Sequence, residues 1–177
     1  ESIDWEVRIV ESFAGEPSRN LAMHARYADM SVLAAATGQE EGVGARVAAY
    51  FNALLFESGR PVLVIPPRHR MTFPISRAVV AWQPTREAAR ALHDALPLLL
   101  GAAKVDVLMV QPDENEGRHD PQAGTDIAGH LARHGLQVDV VERRGPKQAV
   151  AAGLQDHASQ SGAQRLVAGG YGHARLR

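Results

Sequence analysis

Apolar residues follow two rhythms along this chain. Some form short continuous runs, the mark of strands buried on both faces; others return every three or four positions, as on a helix with one apolar side. In order, the expected elements begin with an edge-like strand over Trp5 to Val10, where Glu6 and Arg8 alternate with apolar residues. A helix follows from Pro17 to Tyr27, with Leu21, His24 and Ala25 on one face, and then a strand from Met30 to Ala35. Val43 to Glu57 is an amphipathic helix ended by Ser58-Gly59, and Pro61 to Ile65 a strand closed by Pro66-Pro67. Residues 67–75 are Pro-rich and basic, and read as a linker. The pattern then restarts: strand Arg77 to Trp82, helix Thr85 to Leu99 capped by Thr85, strand Val105 to Val110. A polar loop, Gln111 to Gln122, leads to a helix from Gly124 to His134, stopped by Gly135. Strand Leu136 to Val141, helix Pro146 to Ser159 and strand Arg165 to Ala168 complete the series.

Strands alternating with helices in this order predict an α/β fold, a doubly wound parallel sheet with helices on both faces. The stretch Trp5 to Ala36 also matches Leu136 to Ala168 in element order. Residues 29–35 (DMSVLAA) align with residues 163–169 (AQRLVAG), and Pro17 falls where Pro146 falls. A tandem repeat of two domains follows as an expectation. Residues 1–66 are the back part of a first copy, and residues 76–177 a second copy lacking its last helix and strand, so both ends read as truncated.

Composition narrows the function classes. The chain has 177 residues, enough for a sizeable core, and is 45% hydrophobic with 5% aromatics and 16 Gly. Nineteen Lys and Arg against 20 Asp and Glu leave a net charge of −1, so no global field favours nucleic acid or an anionic membrane. Cysteine is absent, which removes disulfides, thiolate metal sites and a Cys nucleophile and suits a cytoplasmic location. No apolar run reaches the ~18–20 residues of a membrane span.

The residues with most chemical content lie at the end. The apolar run Leu166 to Ala168 empties into Gly169-x-x-Gly172 and a basic segment with His173, Arg175 and Arg177. Glycines where a strand leaves a sheet let backbone amides approach an anion, and phosphate is the usual anion there. His130 and His134 have the i,i+4 spacing of helical metal ligands, but lack an evident third ligand, and His134 suits a helix C-terminus. Trp82 either stacks on a base or covers the sheet. The loop with Asp113, Glu114, Glu116, His119 and Asp120 is either a lid or a solvated connection. Neither a G-x-S-x-G elbow nor a Walker A loop is present.

Two segments carry a family resemblance: Val80-Ala81-Trp82-Gln83-Pro84-Thr85-Arg86-Glu87-Ala88 and Gly169-Gly170-Tyr171-Gly172-His173. The chain resembles the universal stress protein family in its tandem form, whose segments read V-A-[VWY]-[DN]-G-S-x-x-A and G-x-x-G-x9-G-[ST]. The resemblance implies an adenine-nucleotide α-hydrolase-like fold and an ATP site made by Ala81, Gln83, Thr85, Met109, Val110, Gly169, Gly172 and His173. Gln83 would read the nucleotide, Thr85 would cap the helix, and Met109 and Val110 would flank the adenine. Gln83 replaces Asp or Asn, and Pro84 replaces a flexible Gly. The first copy has no Gly-x-x-Gly after its strand, and Glu40 and Glu41 follow instead, so its site is expected to be degenerate. The resemblance thus implies a non-catalytic, nucleotide-responsive stress protein, pairing as a tandem pseudo-dimer or homodimer, with no nucleic-acid or membrane partner. The alternative is an interaction module of the same fold without nucleotide; an enzyme sharing the fold alone is a third reading.

Overall fold

The computed structural model describes residues 3–11, 17–36, 42–70, 72–111, 122–146 and 150–170. They divide into two units, Glu1–His69 and Arg70–Arg177. In the first, helix α1 (Pro17–Ala25), strand β1 (Ser31–Ala34), helix α2 (Val43–Glu57) and strand β2 (Val62–Ile65) follow one another. β1 and β2 pair in parallel, from Ser31 opposite Val62 to Ala34 opposite Ile65. Ala22 and Ala25 on α1 and Ala53 and Leu54 on α2 are buried. At the end of α2 the Arg26 guanidinium donates to the Glu57 carbonyl at 3.0 Å, an arginine satisfying a free terminal C=O.

Trp5 to Val10 does not form the expected strand. It has no assigned strand, and Trp5 and Ile9 are 82% and 87% exposed. Its alternation is real, but a strand is defined by a partner ladder, and none of the described residues pairs with it.

The second unit holds strand β3 (Arg77–Ala81), helix α3 (Arg86–Leu99), strand β4 (Lys104–Gln111), helix α4 (Ala123–Arg133), strand β5 (Val138–Arg144), helix α5 (Val150–Gln160) and strand β6 (Arg165–Val167). All four strands are parallel, in the order β5-β4-β3-β6. β3 and β4 are covered on both sides, which explains their near-continuous apolar sequences. Ala78, Val80, Val105, Val107 and Met109 face one way, against Leu92, Leu96 and Leu99 of α3 and Ile127 and Leu131 of α4. Val79, Leu108 and Val110 face the other way, against Val150 and Leu154 of α5. Two crossovers step outward from β3 to β5, and the third returns to β6. With right-handed connections, that reversal sends α5 to the opposite face. No described helix is long and apolar enough to cross a membrane.

Candidate functional site: a cleft at the strand reversal

The reversal between β3 and β6 opens a crevice at the carboxyl ends of the strands, the general ligand position in open α/β sheets. A cleft of about 140 Å³, open to solvent, lies there. Ala81, Trp82 and Gln83 line it where β3 ends, Thr85, Glu87 and Ala88 where α3 begins, and Ala168 and Gly169 where β6 ends. Leu108 and Val110 of β4 and Val150 and Leu154 of α5 add apolar surface.

Local bonding fixes the β3–α3 turn. The Trp82 amide donates to the Leu108 carbonyl at 2.9 Å, carrying the ladder one residue past β3, and the Thr85 amide donates to the Gln83 carbonyl at 2.7 Å. Thr85 has an extended backbone, and its Oγ1 accepts from the Ala88 amide at 3.3 Å, as an N-cap does. Replacing Thr85 by Ala is expected to cost about 1 kcal/mol. That loss should appear as a lower denaturation midpoint at unchanged slope; an unaltered midpoint would contradict the cap.

Gly169 is glycine for a packing reason. A Cβ there would lie 2.8 Å from the Ala88 nitrogen and 2.8 Å from the Glu87 carbonyl carbon. The β6 exit is thus pressed against the first turn of α3, where a side chain would meet rigid backbone.

Of the residues expected at the site, Ala81, Gln83, Thr85, Val110 and Gly169 line this one cleft. Gly172 and His173 lie outside the described residues, as do Arg175 and Arg177, the acidic pair Glu40-Glu41 and the loop over residues 112–121. Met109 does not line the cleft. Alternation along β4 turns it to the α3/α4 face, and its Sδ lies 2.9 Å from where a Cβ on Gly124 would be. Trp82 packs against that same α3/α4 core, and its buried Nε1 has no hydrogen-bond partner among the described residues. His130 and His134 stack edge to face at 4.9 Å. No three His, Cys, Asp or Glu side chains among the described residues gather as a metal would require.

Sequence reasoning missed Leu108, Val150 and Leu154 as lining residues. Their signal was the phase of β4, two residues apart, and the i,i+4 spacing on α5. It also passed over Glu87, noted only as a first-turn acid. Glu87 is the charged side chain among the described lining residues, and the Arg86 guanidinium pairs with it at 3.8 Å. The apolar walls and the Gln83 amide suit a flat heterocycle with donors and acceptors on its rim.

No protein-family model matches the chain, and no curated protein sequence matches it. Among solved structures, it is similar to a protein from the universal stress protein family of Burkholderia pseudomallei. The identity is 21%, over 56% of this chain and 85% of that one, with a TM-score of 0.47. It is also similar to a universal stress protein from Archaeoglobus fulgidus DSM 4304, at 18% identity over 89% of this chain, with a TM-score of 0.64. This chain spans 56% of the length of the archaeal protein. The α/β fold described above is the fold of the universal stress proteins.

Proposed function

We propose that the second unit binds an adenine nucleotide in the β3/β6 cleft, as a nucleotide-responsive protein of the universal stress type rather than an enzyme. One observation carries the reading: the cleft sits at the strand reversal and gathers Ala81, Gln83, Thr85, Val110 and Gly169 around an apolar slot. The slot between Ala81, Leu108, Val110 and Leu154 takes the base, and Gln83 reads its edge by donating and accepting. ATP fits the described residues at its nucleoside end, and Gly172 and His173 are assigned to the phosphates. The described lining contains one acid–base group, Glu87, and the Thr85 hydroxyl is engaged as a cap, so turnover is not part of this proposal. Two copies of the fold in tandem, paired as a pseudo-dimer, and a cytoplasmic stress-response role belong to the same proposal.

A second reading, an interaction module without nucleotide, is favoured by the start of α3. Thr85 occupies the Ala88 amide, and the Glu87 carboxylate, paired with Arg86, stands at the same turn. Calorimetric titration with ATP and with adenosine separates the two. Saturable heat with either ligand below ~1 mM, a free energy beyond about −4 kcal/mol, supports the nucleotide reading. Flat titrations with both would overturn it and leave the interaction module.

A further inference from the structure

Beneath α5, on the sheet face that carries Leu108 and Val110, charged side chains converge on one buried point. Asp106 on β4 and His157 on α5 are 3% and 8% exposed. His157 Nε2 lies 3.0 Å from Asp106 Oδ2. On the other side of the ring, Arg143 Nη2 from β5 lies 3.2 Å from Nδ1. Arg77 from β3 brings its Nε to 3.8 Å from Asp106 Oδ1. Asp139, opposite Asp106 in the ladder, is engaged by Lys104.

A guanidinium donates hydrogen bonds and never accepts them. Nδ1 therefore presents a lone pair to Arg143, and the ring proton sits on Nε2, donated to the Asp106 carboxylate. We infer that His157 is a positioning residue for the cleft: held as the Nε2–H tautomer between Arg143 and Asp106, it fastens α5 to the sheet.

The helix connects this latch to the cleft. Val150 and Leu154 line the cleft, and His157 follows them on the same face at spacings of four and three. Arg77 stands beside Asp106, while Lys104 and Asp139 engage each other. Without the ring, Asp106 and Arg143 lose their partner on α5, and the helix loses its polar hold on the sheet. The latch itself does not depend on nucleotide binding; only its consequence for affinity rests on the function proposed above.

The test needs no ligand, so its failure is separable from failure of the nucleotide reading. Nitrogen NMR at about pH 7.5 should find His157 Nε2 protonated and Nδ1 bare. Amide exchange should show α5 of a His157→Ala variant losing about tenfold of its protection relative to the parent, while α3 stays constant. His157→Gln, which offers one fixed acceptor and one fixed donor, should keep α5 protected. A proton found on Nδ1, unchanged α5 protection in the Ala variant, or the same loss in the Gln variant would each overturn the inference.

Discussion

Replacing Asp106 by Ala is expected to lower the stability of the second unit by about 3 kcal/mol, the largest loss from any single polar side chain described here. The carboxylate lies within the central strand β4 at 3% exposure and takes the Nε2–H of His157 at 3.0 Å. Its removal leaves that N–H buried with no acceptor and takes the anion away from Arg77. The Arg77 side chain is 31% exposed and can turn to water, so most of the loss arises at His157. Asp106→Asn keeps an acceptor but loses the charge, and should cost about half as much. Denaturant midpoints at near-neutral pH measure both. A loss below about 0.5 kcal/mol in the Ala variant would mean that the pair contributes little to holding α5.

Gly169→Val is expected to be comparably severe, by about 2–3 kcal/mol, for a different reason. The added side chain meets backbone atoms of Glu87 and Ala88, which cannot step aside without moving the first turn of α3. That turn carries Thr85 and Glu87 into the cleft, so any nucleotide affinity should fall with stability, by about tenfold or more. Gly153→Ala in α5 is the control: nothing lies within 4 Å of its Cβ position, and alanine favours a helix interior, so no loss is expected. A Gly169→Val chain as stable as the parent would show that the β6 exit and α3 are not held against each other.

These residues also show how far the sequence could be read. The amphipathic helix over Val43–Glu57 and the cap at Thr85 were legible because their signals are local: periodicity, a stop at Ser58-Gly59, and a hydroxyl before a helix. β5 runs on to Arg144, past the apolar run ending at Val141, because its extent is set by pairing with β4 up to Gln111. Met109 lies on the face away from the cleft, which the sequence could not tell because β4 is apolar on both faces. A continuous apolar run carries no phase, and only packing against α4 or α5 tells one side from the other. Asp106 and His157 are 51 positions apart, and no spacing rule links them. Trp5 to Val10 shows the converse: its strand pattern was readable, yet pairing needs a neighbour that the pattern does not supply.

The placement of β6 beside β3 also governs when the cleft comes into being. Residues that meet at that seam, such as Ser76 and Gln164, stand 88 positions apart. A chain emerging from the ribosome can dock β3, β4 and β5 in succession through their neighbouring crossovers. The crevice has only one side until the β6 segment arrives, because the end of β6 forms its other side. Closing so long a loop is the slow kind of contact. The nascent protein therefore acquires its core early and this groove late.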